Sequence, residues 1–96
     1  MKQGKTLKLD ELIDLYLKQA GLDRRFKEME ACSLWPEVVG RAIAGYTREV
    51  SLSGGTLLVR FTSAVARHEI MMVKEGVIQA LNDRLGERVI TDLVCR

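Results

Sequence analysis

A two-glycine turn between two alternating stretches is the feature that most constrains the fold of this chain. Ser53-Gly54-Gly55 separates residues 46–52 from residues 56–62. Both stretches alternate with the period of two that is typical of a strand with one covered face. Because glycine adopts the positive φ of a tight turn, the sequence predicts a β-hairpin. The predicted inward residues are Tyr46, Arg48, Val50, Leu52, Leu57, Val59 and Phe61.

Two or three helical segments precede this hairpin. Densely spaced apolar residues predict a first helix over residues 10–20, with Gly21 as its stop. Asp23 can cap a second helix that runs through Leu34. A residue before proline is pushed out of the helical region, so this helix should end or bend at Trp35. Pro36 suits the first position of a new, short helix over residues 36–44.

A long helix and a last strand follow the hairpin. Ser63 can cap a helix over residues 64–85, with Val73 in its apolar stripe and Gly86 as its stop. Residues 89–94 then form a predicted third strand. The order α-α-β-β-α-β, with a short extra helix before the hairpin, indicates an α+β fold with a small three-stranded sheet covered by helices on one face. An antiparallel pair followed by a crossover helix favours a mixed sheet.

Length and composition indicate one domain. The chain has 96 residues, of which 47% are hydrophobic and 29% are charged. We expect a basic N-terminal arm over residues 1–6 and a single domain over residues 7–96. The chain has no apolar run of membrane-spanning length and no apolar signal-peptide core, so we expect a cytoplasmic protein without membrane contact. A net charge of +2 does not by itself indicate a nucleic-acid-binding protein.

The residues that could support catalysis or metal binding are few and scattered. Cys32 and Cys95 form no C-x-x-C pair, and His68 is the only histidine, so neither a disulfide framework nor a zinc site is indicated. Glu69 beside His68 points in another direction on a helix, which argues against an acid-base pair. The chain carries no P-loop, nucleophile elbow or dinucleotide fingerprint. We therefore expect no enzymatic activity, no cofactor and no metal.

Several short motifs, taken in order, resemble the DciA-like family of bacterial replication proteins. They are Leu34-Trp35-Pro36-Glu37-Val38-Val39-Gly40, the Gly54-Gly55 hairpin with Leu57-x-Val59-x-Phe61, and Leu81-Asn82 before the last strand. The resemblance covers the chain from about residue 7 to its end. It implies a KH-like fold and a non-enzymatic role in delivering or regulating the replicative helicase, with DNA contact in some members. The sequence ends directly after the predicted third strand, without the basic extension of longer members.

Basic residues form two candidate nucleic-acid-binding groups. Lys2 and Lys5 lie in the N-terminal arm and Lys8 lies just after it, and these lysines either follow a phosphate backbone or only solvate a chain terminus. The second group lies around the hairpin and consists of Arg41, Arg48, Arg60 and Arg67. The chain has no G-x-x-G clamp, and the predicted open sheet face carries no aromatic ring, which argues against sequence-specific RNA recognition.

Five residues are candidates for partner binding: Trp35, Val65, His68, Met71 and Met72. Trp35 either anchors an interface or fills the core beneath a helix junction. The methionines lie off the main apolar stripe, and methionine adapts well to partner surfaces, so they could contact a helicase subunit or a second copy. Two other functions stay open at this point, a KH-like RNA-associated protein and a self-associating module without nucleic acid.

Overall fold

The predicted α+β fold is confirmed by a computed structural model that describes residues 8–20 and 22–96. Its helices are α1 (Leu9–Ala20), α2 (Leu22–Val39), α3 (Arg41–Gly45), α4 (Ala64–Met72) and α5 (Lys74–Leu85). Its strands are β1 (Thr47–Ser53), β2 (Thr56–Phe61) and β3 (Asp92–Cys95). Lys2, Lys5, the predicted arm boundary and the helix stop at Gly21 lie outside the described residues.

The three strands form one mixed sheet, as the sequence predicts, in the order β1-β2-β3, which the sequence left open. β1 and β2 pair antiparallel, and β2 and β3 pair parallel. Gly54 and Gly55 form the two-residue turn with φ values of 58° and 86°. Both values are positive, as a tight turn that matches the twist of its flanking strands requires. The hairpin prediction is therefore confirmed.

The predicted inward face of β1 is wrong at its first residues. The pairing with β2 shifts between Thr47 and Glu49, which places a bulge at Arg48. A bulge adds one residue to a strand and so exchanges its two faces. Thr47 consequently points toward the core, whereas Tyr46 and Arg48 are exposed. Beyond the bulge the predicted alternation holds.

Helix α2 does not end at Trp35, so of the two alternatives expected there, an end or a bend, the end is wrong. The backbone N–H of Gly40 donates to the carbonyl oxygen of Pro36 at 3.0 Å, so helical bonding continues past the proline. The break comes at Gly40, whose φ is 91°, and α3 begins only at Arg41. A proline inside a helix costs about 3 kcal/mol. Burial of Trp35 beneath this last turn offsets that cost.

The predicted helix over residues 64–85 is two helices. Val73 separates α4 from α5, and its N–H donates to Ile70 O at 3.1 Å, a bond spanning three residues instead of four. Val73 is exposed and does not belong to the apolar stripe. One straight helix of that length would measure about 33 Å, longer than the sheet beneath it. The break lets α4 pack on β2 and β3 while α5 packs mainly on α2.

Strand β3 begins at Asp92, three residues later than predicted. The side chain of Asn82 holds the preceding loop. Its Oδ1 accepts the N–H groups of Val89 at 3.0 Å and Ile90 at 2.9 Å, and its Nδ2 donates to Ile90 O at 2.9 Å. These backbone groups are therefore not available to a strand ladder. The predicted helix stop at Gly86 is confirmed by its left-handed conformation.

The core lies between the helices and one face of the sheet. Leu57 and Val59 of β2 are fully buried and Phe61 packs against the core, as predicted. Ser63 caps α4 by accepting the N–H of Ala66 at 3.2 Å, which is also as predicted. The remaining buried apolar residues are Ala31, Trp35, Leu52, Ala66, Ile70, Val77, Ile78, Leu81, Leu85, Ile90 and Leu93.

Candidate partner-binding and nucleic-acid-binding surfaces

Helix α4 presents an exposed, largely apolar surface. Val65, His68 and Met72 stand at positions i, i+3 and i+7 and so line one side of the helix. Val65 is 71% exposed and Met72 is 73% exposed. Met71 is also exposed and lies one turn from His68. We call these four residues the α4 patch.

The opposite side of α4 is fixed to the core. Ala66 and Ile70 are buried there, and Ser63 caps the first turn. Arg67 and Glu69 border the α4 patch, so charges of opposite sign flank it. The buried side of α4 therefore fixes the position of the α4 patch, whose own side chains stay at the surface.

Trp35 lies away from the α4 patch, in the core. Its side chain is 1% exposed, and its indole Nε1 donates to Thr47 Oγ1 at 3.0 Å. The ring meets Phe61 edge to face, with ring centroids 6.3 Å apart. Of the two interpretations of Trp35 offered above, its burial and its satisfied N–H favour core packing.

The four candidate arginines do not form one cluster. Arg60 pairs with Glu49 across the hairpin, at 3.3 Å between Nε and Oε1. Arg48 lies at the bulge beside this pair. Arg41 stands at the start of α3 and Arg67 on α4. All four side chains are exposed, and so is Lys8.

Arg96 is a further basic residue of the sheet that the sequence analysis missed. Its N–H donates to Val59 O at 2.9 Å, and its carbonyl oxygen accepts the N–H of Phe61 at 2.7 Å. These bonds place Arg96 directly opposite Arg60 in the parallel ladder, on the same face of the sheet. We call Arg60 and Arg96 the open-face arginine pair. Finding it from sequence would have required the register of β3 against β2.

The two thiols are free and half-buried. Burial raises the pKa of Cys32, and the charge of Glu28 raises it further, although the backbone N–H of Leu52 lowers it. Burial likewise raises the pKa of Cys95 against the opposing charges of Lys74 and Arg67. Both thiols therefore stay protonated at neutral pH, the less reactive form.

No metal centre or membrane span is found within residues 8–20 and 22–96. No three His, Cys, Asp or Glu side chains in this part of the chain lie close enough together to hold a metal ion. None of its helices combines the length and apolar character needed to cross a bilayer. His68 stands on the exposed side of α4, one turn from Met72.

The family model described as Dna[CI] antecedent, DciA, matches residues 8–95. The chain belongs to the DciA family. The resemblance noted from its motifs is thereby confirmed over nearly the whole sequence. DciA proteins associate with the replicative helicase in its loading, so membership supports a non-enzymatic accessory role in DNA replication. A search of curated proteins found no match.

Proposed function

We propose that this DciA-family chain binds the replicative DNA helicase through the α4 patch. The observation that carries the proposal is the exposure of Val65, Met71 and Met72 on a helix whose other face is buried. Large apolar side chains on a fixed helix form the kind of surface that packs against another protein. Methionine side chains also adapt their shape to the partner.

The size of the patch indicates a transient contact. Fully burying one such apolar side chain contributes about 1.5–3 kcal/mol. Association itself costs several kcal/mol in lost rotational and translational freedom. Three apolar side chains therefore support a moderate affinity, and His68 at the centre adds a polar group that the partner must accommodate.

Retention on the organism's own helicase tests the proposal. Met72→Lys introduces a charge into the α4 patch and should reduce retention at least tenfold while the fold persists. Ala42→Lys, at an exposed position of α3, adds the same charge elsewhere and should leave retention unchanged. Equal retention of both variants would exclude the α4 patch as the helicase-binding surface.

We also propose weak binding of DNA phosphates at the open-face arginine pair. Arg60 and Arg96 are neighbours on adjacent strands, and like charges directly opposite each other are unfavourable unless an anion lies between them. Glu49 neutralises part of this charge in the free chain. A phosphate group would supply a second anion, and arginine binds phosphate through two parallel hydrogen bonds.

The salt dependence of binding to single-stranded DNA tests this second proposal. Loss of two phosphate contacts lowers the slope of log K against log salt by about 1.4. Arg60→Gln/Arg96→Gln should show that change, and Arg88→Gln, at an exposed loop position, should not. Stronger binding to RNA of the same sequence would favour the RNA-associated alternative. An unchanged slope would exclude the open-face arginine pair as a binding site for DNA phosphates.

A further inference from the structure

Strand β1 has a free edge. Within residues 8–20 and 22–96, the one strand that pairs with it is β2. The turn between them has two residues, so Ser53 and Thr56 are bonded to each other, and bonded pairs then alternate with non-bonded ones along the hairpin. Val50 and Leu52 belong to the non-bonded pairs. Their backbone N–H and C=O groups therefore point away from β2, toward the free edge.

A largely apolar trough runs along this edge, between β1 and α2. One part has a volume of about 470 Å³ and is lined by Phe26 and Met29 of α2 and by Leu52 of β1. A second part, of about 220 Å³, continues toward the bulge of β1. Cys32 and Val50 line both parts, and we call the two parts together the β1 trough. A strand added beside β1 would direct every second side chain into it.

The backbone groups at this edge are only weakly satisfied in the free chain. The N–H of Leu52 faces the thiol of Cys32, and sulfur is a weak hydrogen-bond acceptor. The carbonyl oxygen of an added strand would be a stronger acceptor for the same N–H. The bulge at Arg48 interrupts the edge at its other end. The edge open to pairing therefore spans residues 49–53, a length of about 17 Å.

The β1 trough has a basic side chain at each end. Arg25 lines one part and Arg48 lines the other. Both side chains are exposed, and neither forms an ion pair with another of the described residues. Glu49 is engaged in the ion pair across the hairpin, and Glu28 lies one turn along α2 from Arg25, between the two ends. A complementary occupant therefore carries an acidic residue at each end and none between them.

We propose that the β1 trough binds an extended peptide segment of a partner protein, which joins the sheet as a strand beside β1. The segment has apolar side chains at alternate positions and an acidic residue at each end. Its backbone bonds to the free N–H and C=O groups of Val50 and Leu52, and its apolar side chains fill the trough. This is the strand-addition mode of peptide recognition, in which the edge provides affinity and the pockets provide specificity.

An extended acidic segment fits these observations better than a helix or a second copy of β1. A helix satisfies its own backbone groups and would leave those of Val50 and Leu52 unbonded. Strand β1 of a second copy has Arg48 toward one end and Ser53 at the other, so it lacks the acidic ends. Neither the α4 patch nor the open-face arginine pair lines the trough. Failure of this proposal therefore leaves helicase and DNA binding untouched.

Titration with a synthetic peptide, followed by NMR of the backbone amides, tests the proposal. The probe is Glu-Val-Thr-Val-Thr-Val-Glu with both termini blocked. It should shift the amide resonances of Val50 and Leu52, and at saturation it should slow hydrogen exchange of the Val50 amide at least tenfold. The permuted peptide Glu-Val-Val-Val-Thr-Thr-Glu has the same composition without the alternation, and it should bind at least tenfold more weakly.

Charge exchange between chain and peptide separates binding from a loss of folding. Arg25→Glu/Arg48→Glu should bind the probe about tenfold more weakly than the wild type. The same variant should bind Lys-Val-Thr-Val-Thr-Val-Lys about tenfold more tightly than the wild type does, which an unfolded chain could not do. Met72→Lys should leave the affinity for the probe unchanged.

Three results would overturn the proposal. The first is the absence of shifts at Val50 and Leu52 with the probe at millimolar concentration. The second is equal affinity for the probe and the permuted peptide. The third is a dimer of the free chain in which the Val50 amide is already protected from exchange, because the edge would then belong to a second copy.

Discussion

The indole Nε1 of Trp35 donates a hydrogen bond of 3.0 Å to Oγ1 of Thr47. The Thr47 hydroxyl in turn donates to the carbonyl oxygen of Ile43 at 2.9 Å. This chain of two bonds joins α2, α3 and β1 at one corner of the core. It satisfies the N–H of a buried ring, and it explains why the strand must place Thr47, and not its neighbours, on the inner face.

Removal of the Thr47 hydroxyl should destabilise the fold. Thr47→Val leaves the buried indole N–H without an acceptor, and we expect a loss of about 1–3 kcal/mol in the free energy of unfolding. Urea denaturation measures it. Thr62→Val is the matched control, since its hydroxyl bonds to Tyr46 O at an exposed position. A Thr47→Val change below about 0.5 kcal/mol would mean that the indole has another acceptor.

Asn82 should be a second position at which substitution strongly lowers the free energy of unfolding. Asn82→Ala leaves the N–H groups of Val89 and Ile90 and the carbonyl of Ile90 unpaired, and we expect a loss of about 3 kcal/mol. Asn82→Asp keeps the two accepting interactions and should fall between alanine and the wild type. Thermal unfolding ranks the three chains. Gln79→Ala, which removes an exposed amide of the same helix, should cost less than either.

The two glycines of the hairpin should differ in their tolerance of alanine. A Cβ at Gly55 would lie 2.7 Å from Thr91 Oγ1, at a φ of 86°, whereas a Cβ at Gly54 would meet nothing within 4 Å. We expect Gly55→Ala to cost about 2 kcal/mol more than Gly54→Ala. Adding Thr91→Ala to Gly55→Ala should recover part of the loss. Equal costs in urea denaturation would contradict this account.

The ion pair between Lys74 and Asp92 should make stability depend on pH. The Lys74 ammonium, 3.0 Å away, and the N–H of Leu93 hold the pKa of Asp92 below its ordinary value. A carboxylate with a lowered pKa in the folded state contributes stability at pH above its unfolded pKa of about 3.9. That contribution is lost as the pH falls through the folded value, because the unfolded chain then binds the proton more readily.

The free energies of unfolding of the wild type and of Asp92→Asn, compared over a range of pH, check the direction of this dependence. The wild-type chain should be the more stable at pH 6, and the difference should shrink as the pH falls below 4. The effect is small, since both side chains are exposed. Glu69→Gln, at an exposed position of α4, serves as the control. A difference that grows toward acid would contradict the assigned direction.

Local patterns predicted the hairpin, the Ser63 cap and the α+β class, because these depend on residues close together in sequence. The predictions failed where contacts between residues far apart in sequence determine the local structure. Burial of Trp35 carries α2 past Pro36, although the local preference at a proline points to a break. The bulge at Arg48 exchanges the faces of β1, and the alternation of residues does not indicate a bulge.

The candidate surfaces were predictable to different degrees. The spacing of Val65, His68 and Met72 identified the α4 patch directly, since one helix contains it. The pairing of Arg60 with Arg96 depends on strand register, which the sequence does not reveal. The role of Asn82 was likewise hidden, although a polar residue between Leu81 and Leu85 on a buried helix face was a usable signal.

Strand β3 is positioned by residues that belong to other elements. Asn82 holds the loop before it, and Gly55 O accepts the N–H groups of Thr91 at 2.8 Å and Asp92 at 3.3 Å. Until β3 docks, one edge of β2 has unpaired backbone groups. This edge of an apolar, alternating strand could pair with another nascent chain. Substitutions in the loop before β3 should therefore raise the fraction of newly made protein that aggregates more than they lower the melting temperature of the finished fold.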